Sequence, residues 1–124
     1  MSQIEQSFTK EFSFAKRKHE AEMIRHKYPD RVPCVVERAP ADKNKLPPLD
    51  KKKYLVPNDI TFGQFIHVIR KRIKLTPEKA LFLFVNNQIP GSSVFMNQIY
   101  SEYKDESGFL MITYASENTF GNNI

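Results

Sequence analysis

Apolar residues recur at helical spacing in two segments at the start of the chain. Residues 4–12 place three large apolar side chains on one face, at i, i+4 and i+8. Ser13 suits the N-cap of a second helix over residues 14–27, whose outer face is highly charged. Tyr28 and Pro29 end that helix, because the residue before a proline avoids the helical region. The apolar face of the first helix is narrow, so we expect it to pack onto the sheet rather than to bind lipid.

Four segments have the length and composition of strands. They are residues 31–38, 51–57, 80–86 and 109–114. Pro33 lies inside the first segment and has no backbone N–H, so we expect that side of the strand to be unpaired or at a sheet edge. The third segment, ALFLFVN, is apolar throughout, which predicts a central strand covered on both faces. The proline-rich residues 39–50 between the first two strands predict a loop.

Two further helices are predicted between these strands. Thr61 and Gln64 fit a capping box that opens the first of them, and the basic residues of its last turn suit the helix dipole. Ser92 or Ser93 is expected to start the other, which runs to Tyr103 with apolar residues on its inner side. Without the two leading helices the order is ββαβαβ, as in a ubiquitin-like β-grasp sheet. Periodicity supports an α+β domain but does not by itself select β-grasp over other small α+β folds.

Composition and charge narrow the function. The 124 residues suit one domain, and 40% of them are hydrophobic, enough for a small core. Residues 1–74 carry 17 Lys and Arg against 9 Asp and Glu, whereas residues 75–124 carry 2 against 5. A basic first half suggests acidic partners: nucleic acid, anionic lipid or acidic peptides. The chain shows neither an apolar secretory leader nor an apolar run of about 20 residues, so we expect membrane attachment only through surface contact or a covalent lipid.

The candidates for catalysis are few. Cys34 is the single cysteine, which excludes an internal disulfide, and the histidines are His19, His26 and His67. Their spacing matches no nucleophile signature and no zinc site. A lone cysteine in a strand is usually a small buried hydrophobe. We therefore predict no enzymatic activity, no cofactor and no metal.

Nucleic-acid binding is the second alternative. Three basic clusters, at 16–18, 51–53 and 70–72, accompany ten phenylalanines and five tyrosines. No RNA-recognition signature occurs, and the aromatic residues have the spacing of a core rather than of a stacking platform. We expect weak, salt-sensitive binding at most, and no specific nucleic-acid partner.

Four stretches of the sequence match a known family. They are FAKRKHEAEMIRHKYPDRVP (14–33), KKKYLVPNDITFGQFIHVIRKRI (51–73), LFLFVNNQIP (81–90) and SENTFG (116–121). Together they resemble the ubiquitin-like autophagy modifiers, the family of the GABA-receptor-associated protein and the microtubule-associated light chain. The resemblance covers nearly the whole chain and is far more specific than a short motif.

The resemblance implies one α+β domain with a ubiquitin-like β-grasp fold, a four-stranded mixed sheet and two extra N-terminal helices. Residues 1–28 would form the helical extension, residues 29–115 the β-grasp core, and residues 116–124 a flexible tail. Cys34 stands where the family usually has an aliphatic residue. Because it adjoins Val35, we expect a slight change in the shape of a neighbouring pocket.

The resemblance also assigns Gly121 as the site of cleavage and lipid conjugation. A cysteine protease would remove residues 122–124, and E1-like and E2-like enzymes would transfer the glycine carboxylate to phosphatidylethanolamine in the membrane. A glycine leaves the reacting carbonyl unhindered and the tail free to enter a narrow channel. On the residues alone, the alternative is a glycine in a fraying terminus.

A second implied site binds cargo receptors through short acidic aromatic-x-x-aliphatic motifs, which would add a strand beside residues 51–56. The pocket for the aromatic residue, called the aromatic pocket below, would comprise Glu20, Ile24, Pro33, Val35, Lys53, Leu55 and Phe109. The pocket for the aliphatic residue, the aliphatic pocket, would comprise Tyr54, Val56, Pro57, Ile60, Phe65 and Val68. Arg31, Lys51 and Arg72, together with Lys53, would attract the acidic residues of the motif.

Core packing is the alternative role for several of these residues. For Tyr54, Leu55 and Phe109 the sequence leaves core and pocket open, whereas Phe65 is expected in the core. A run of lysines on an edge strand also prevents aggregation without any ligand, which would explain Lys51 and its neighbours.

The sequence thus predicts a non-catalytic modifier in the cytoplasm and, when lipidated, on autophagosomal and vacuolar membranes. The alternative is an unlipidated peptide-binding adaptor in vesicle trafficking or on microtubules.

Overall fold

A six-stranded mixed sheet and four α-helices make up the computed structural model of the chain, which describes residues 7–118 and 122–123. The helices are α1 (Phe8–Glu11), α2 (Phe14–Lys27), α3 (Phe62–Arg72) and α4 (Met96–Tyr103), with a 3₁₀ turn at Pro40–Asp42. The strands are β1 (Arg31–Arg38), β2 (Lys53–Pro57), β3 (Phe82–Val85), β4 (Gln88–Ile89), β5 (Leu110–Ala115) and β6 (Asn122–Asn123). Ile4 and Gly121 lie outside the described residues.

The strand order in the sheet is β2-β1-β5-β3-β4-β6. β1 pairs antiparallel with β2 and parallel with β5, and β3 lies antiparallel between β5 and β4. This is the ubiquitin-like α+β arrangement that the element order suggested, and the four predicted strands are all present. β1 has the predicted bounds, and the ends of the other three differ from prediction by at most two residues. In this sheet β2 is an edge strand.

The sequence did not predict β4 and β6, each of which has two residues. Val85 pairs with Gln88 across a two-residue loop, and both loop residues, Asn86 and Asn87, have positive φ angles. Two such residues form the turn that best joins antiparallel strands. The asparagines were predicted as a turn, but a two-residue strand after them carries no periodic signal. β6 pairs parallel with β4.

Two helices begin where the sequence predicted, because their N-cap residues form the expected hydrogen bonds. The Ser13 side chain accepts a hydrogen bond from the backbone N–H of Lys16, and α2 has the predicted span. Thr61 and Gln64 form both halves of the capping box of α3. The first helix is shorter than predicted within the described residues, because Ser7 caps it and α1 begins at Phe8.

The predicted start of α4 at Ser92 or Ser93 is wrong, since the helix begins at Met96. The preceding segment binds the start of α3 instead. The carbonyls of Ser92 and Val94 accept hydrogen bonds from the N–H groups of Gly63 and Phe62, at 2.9 and 2.8 Å. These tertiary bonds hold residues 92–95 out of the helix and override the local signal.

Pro33 lies in a strand that has partners on both sides. β1 is therefore not an edge strand. Pairing of β1 with β5 begins only at Cys34, however, so the β5 side of the strand is unpaired at Pro33, which was the other predicted alternative. The Val36 N–H bonds to the Lys52 carbonyl at 2.8 Å, so every second residue of β1 bonds to β2, and Pro33 is not one of them. Its nitrogen faces the side that is not yet paired, as the missing N–H requires.

The core lies in two layers on the two faces of the sheet. The larger cluster fills the space between the sheet and α3 and α4. The smaller one, under α1 and α2, contains Phe8, Ala21, Val35 and Phe109. β3 was predicted to be covered on both faces, and it is: two of its residues join the larger core, and Phe84 packs with two alanines on the other side.

None of the helices in the described ranges is sufficiently long and apolar to span a bilayer.

Of the three glycines in the described residues, Gly108 should be the one that the fold tolerates least well as alanine. Its φ is +95°, and a Cβ there would lie 3.0 Å from the Cβ of Ala21 in α2. We expect Gly108→Ala to lower the free energy of unfolding by about 1–3 kcal/mol in denaturant titration. Gly91→Ala is the control, because its nearest contact would be an ordinary 3.4 Å. Equal effects of the two substitutions would contradict this account of Gly108.

Candidate functional site

The outer edge of β2 presents backbone groups that no neighbouring strand pairs with in the described sheet. The Lys52 carbonyl accepts from the Val36 N–H, and the register places Tyr54 two residues further along the same ladder. Bonded positions alternate in an antiparallel pair, so Tyr54 bonds to β1. Lys53 and Leu55 lie between these positions and direct their N–H and C=O groups away from the sheet. A peptide strand placed here would find regularly spaced donors and acceptors.

Side chains on β2 alternate between the two faces of the sheet. Tyr54 and Val56 are buried under α3, in the larger core. Leu55 is 37% exposed and lies on the opposite face, which also carries α2. The alternatives left open by the sequence are thereby separated: Tyr54 and Phe109 are core residues in this structure, whereas Leu55 is at the surface.

The predicted aromatic-pocket residues share one face of the sheet. Pro33 lies opposite Leu55, and Val35 lies opposite Lys53, in the pairing of β1 with β2. Above them, Glu20 of α2 accepts a hydrogen bond from the Lys53 ammonium at 2.7 Å. This partly exposed ion pair bridges the gap between α2 and β2. Ile24, on the next turn of α2, packs against the cluster that contains Val35 and Phe109.

Sequence reasoning missed the contribution of α1 to this region. Phe8 is 1% exposed, and its ring packs edge-on against Phe109, with the ring centroids 5.2 Å apart. The Phe8 N–H donates to the Glu37 carboxylate at 2.8 Å, which fixes the start of α1 on the sheet. The prediction that this helix packs onto the sheet is confirmed. The i, i+4 spacing of Phe8 and Phe12 indicated that this helix packs against the domain. It did not indicate that Phe109 would be the residue covered.

A shallow depression remains between α1 and the start of β2, with a volume of about 410 Å³. Its lining consists of Phe8, Glu11, Phe12, Lys51, Lys52 and Lys53. The Lys53 ammonium lies 5.6 Å from the centre of the Phe12 ring, within reach of a cation–π interaction. An apolar floor with a lysine rim suits a ligand that carries both an apolar group and a carboxylate.

The predicted aliphatic-pocket residues lie between β2 and α3. Tyr54, Val56 and Phe65 form a buried floor, in which the Tyr54 and Phe65 rings meet edge-on at 6.3 Å. Val68 is 41% exposed on α3, and Pro57 and Ile60 are half-buried. The floor thus belongs to the core, as expected for Phe65, and Val68 supplies exposed apolar surface at the rim.

The basic residues near the edge already have partners within the chain. Arg31 donates to the outward-facing Leu55 carbonyl at 3.1 Å. Arg72 donates to both carboxylate oxygens of Asp50, at 3.1 and 2.9 Å, and this hydrogen bonding holds the pKa of Asp50 below its usual value. The pair is exposed, so it contributes little to stability. An incoming carboxylate would share these cations or replace their partners.

Lys51 and Arg72 both lie over the ring of Tyr54. The Lys51 ammonium lies 4.8 Å from the ring centre, and the Arg72 guanidinium carbon lies 5.6 Å from it. Burial raises the pKa of the Tyr54 hydroxyl above its usual value. The positive charge at this end of β2 is therefore held in place over a buried ring.

Cys34 has none of the properties of a catalytic thiol. It is fully buried in the larger core, and burial raises the pKa of the thiol far above its usual value. The expectation that it reshapes the aromatic pocket is wrong, because Cys34 and Val35 point to opposite faces of β1. Across residues 7–118 and 122–123, no three His, Cys, Asp or Glu side chains are grouped as metal ligands would be.

Comparison with known proteins gives consistent matches. The model of a family described as "Autophagy protein Atg8 ubiquitin like" matches residues 16–121. The chain is 58% identical over 115 residues to autophagy-related protein 8 of Mycosarcoma maydis, covering 93% of this chain and 96% of that protein. It is 56% identical over 114 residues to autophagy-related protein 8 of Schizosaccharomyces pombe, covering 92% and 93%. The crystal structure of Trypanosoma brucei ATG8 is similar with a TM-score of 0.83 and 41% identity, covering 95% of this chain and all of that one.

Neighbouring residues of β2 should differ sharply in their contribution to stability. Tyr54→Ala removes a buried aromatic side chain and should lower the free energy of unfolding by about 3 kcal/mol or more. Leu55→Ala trims an exposed side chain and should cost less than about 1 kcal/mol. Denaturant titrations of both variants and the wild type measure the difference. A Leu55→Ala variant as unstable as Tyr54→Ala would place Leu55 in the core.

Proposed function

The chain belongs to the Atg8 family of ubiquitin-like autophagy proteins, and from that premise we propose that it is a lipid-conjugated modifier that also binds short peptides. Proteins of this family are ubiquitin-like modifiers and adaptors, not enzymes, and this chain is one of them. The proposed conjugation site is Gly121, with phosphatidylethanolamine as the acceptor. The proposed ligands are the acidic aromatic-x-x-aliphatic motifs of cargo receptors.

The peptide-binding half of the proposal rests on the free edge of β2. Lys53 and Leu55 direct backbone donors and acceptors outward, and apolar side chains lie on both faces of the sheet beside them. A peptide that adds a strand gains affinity from its backbone bonds and specificity from the pockets for alternate side chains. An aromatic residue would enter on the side of α2 and an aliphatic residue on the side of α3.

Charge favours an acidic peptide as the partner. Lys51, Lys53 and Arg72 lie within one end of this surface, in the half of the chain that carries excess positive charge. The Lys53–Glu20 and Arg72–Asp50 ion pairs are at least partly exposed and weak, so a peptide carboxylate could compete for Lys53 and Arg72. Such charges mainly accelerate association and select partners.

The expected affinity is modest. Burying one aromatic and one aliphatic anchor stabilises the complex by roughly 1.5–3 kcal/mol each. Ordering a flexible peptide offsets much of this gain, as does the loss of its translational freedom. Modest affinity suits an adaptor that is concentrated on a membrane and engages receptors through several copies.

The conjugation half of the proposal rests on the end of the chain. The match to the family ends at Gly121, and three residues follow it. We propose that a cysteine protease removes these three residues and that E1-like and E2-like enzymes then transfer the glycine carboxylate to the lipid amine. The protein would be cytoplasmic before transfer and bound to autophagosomal or vacuolar membranes afterwards.

Substitution of Gly121 tests the conjugation site. We expect Gly121→Ala to prevent lipid attachment while leaving the fold intact, because a side chain beside the reacting carbonyl obstructs attack and release. The measurement is the intact mass of wild type and variant recovered from cell membranes with autophagy induced. Wild type should end at Gly121 and carry one phosphatidylethanolamine. Wild type recovered only as the unmodified chain ending at Ile124 would favour a peptide-binding adaptor without lipid.

Leu55→Ala tests the peptide-binding edge in a variant expected to stay folded. Loss of this exposed apolar side chain should weaken binding of an acidic aromatic-x-x-leucine peptide by about tenfold, because part of the aromatic anchor would stay in water. Calorimetric titration measures the change. Met23→Ala is the matched control, since Met23 is 56% exposed on α2 but does not join the cluster beneath that helix. Unchanged affinity of the Leu55 variant would show that the pocket lies elsewhere.

A further inference from the structure

The loop of residues 39–50 binds the chain just beyond the last core strand. The backbone N–H of Ser116 donates to the Asp42 carboxylate at 3.2 Å, and the Ser116 hydroxyl donates to the same oxygen. Ser116 is the first residue after β5. The loop thus contacts the chain where the C-terminal tail begins, five residues before Gly121.

Asp42 is a buried charged residue, and its burial requires an explanation. It is 5% exposed, whereas most aspartates in globular proteins are at the surface. A buried carboxylate is costly unless hydrogen bonds compensate for its lost hydration. The two donors of Ser116 supply part of that compensation, so moving Ser116 away would leave the carboxylate with fewer partners.

Other contacts hold the same loop to the same strand. The Tyr114 hydroxyl donates to the Pro47 carbonyl at 2.7 Å, and the Ala39 N–H donates to the Tyr114 carbonyl at 2.9 Å. Lys45 pairs with Glu117 at 3.3 Å, although both side chains are more than half exposed. Among these contacts of the loop, the Asp42 contact is the buried one that reaches Ser116 itself, at the base of the tail.

We propose that Asp42 is a positioning residue for the C-terminal tail: by holding Ser116, it fixes the start of the segment that carries Gly121. The inference rests on the proposed processing after Gly121. Five residues reach at most about 17 Å, so the position of Ser116 limits where the Gly121 carbonyl lies relative to the surface that an enzyme grips. When Ser116 is already fixed, less conformational entropy of the tail is lost on binding to the enzyme.

The test compares cleavage of the full chain after Gly121 by the processing cysteine protease, with KM and kcat determined separately. We expect Asp42→Ala to raise KM roughly threefold to tenfold and to leave kcat within about twofold of wild type, because ordering of the tail base is lost but the scissile segment is unchanged. Asp42→Asn should behave like wild type, because its amide oxygen accepts the same two hydrogen bonds. Lys45→Ala, which removes only the exposed ion pair, is the control and should change little.

Amide hydrogen exchange of Ser116 gives a second readout that needs no enzyme. We expect exchange of this amide to be about tenfold or more faster in Asp42→Ala than in wild type and unchanged in Asp42→Asn. If Asp42→Ala does not fold, Ser116→Ala replaces it, since that variant loses the hydroxyl bond alone and should show a smaller change in the same direction.

The outcomes separate this inference from the proposed function. Wild-type chain that is not cleaved after Gly121 would refute the proposed processing, and exchange would then decide whether the Asp42 contact holds the tail base. Wild-type cleavage together with an unchanged KM for Asp42→Ala would overturn the positioning role alone. Equal defects in Asp42→Asn and Asp42→Ala would overturn the hydrogen-bond explanation.

Discussion

Alternation of side chains along β1 connects the two cores and the candidate binding edge. Val32, Cys34 and Val36 point into the larger core, whereas Pro33 and Val35 point toward α2. Because β1 pairs with β2 and with β5, the same alternation passes to both neighbours through the register. A slip of one residue would exchange the two faces, bury Leu55 and Lys53 and expose Tyr54. The double pairing of β1 is thus the constraint on which both pockets depend.

The parts of the fold that were predictable from the sequence have local causes. A serine cap and a proline stop set the span of α2, and the Thr61–Gln64 box sets the start of α3. The parts that were missed depend on distant contacts. Residues 92–95 fit a helix start locally but bond to α3 instead, and β6 forms by pairing with β4. For the binding site, the family resemblance supplied the candidate pocket residues. Periodicity alone could not decide which face of β2 is buried and which is at the surface.

The edge of β2 combines protection with recognition. The lysines of the edge, and the arginine that binds the Leu55 carbonyl, hinder pairing with another copy of the chain. Edge strands generally need such protection against aggregation. The same cations favour a strand that carries carboxylates. The surface therefore discriminates by charge: it repels basic strands and attracts acidic ones. Phe8 of α1 further restricts which side chains fit beside β2. Its ring already fills the space against Phe109 and leaves only a shallow opening there.

The burial of Cys34 makes this chain convenient for spectroscopic labelling. It is the single cysteine, and its thiol is enclosed in the core with a raised pKa. A cysteine introduced at an exposed position, such as Met23→Cys, would be the thiol that maleimide dyes or spin labels reach in the folded protein. Distances from α2 to a labelled peptide could then be measured without replacing the native cysteine and disturbing the packing around it.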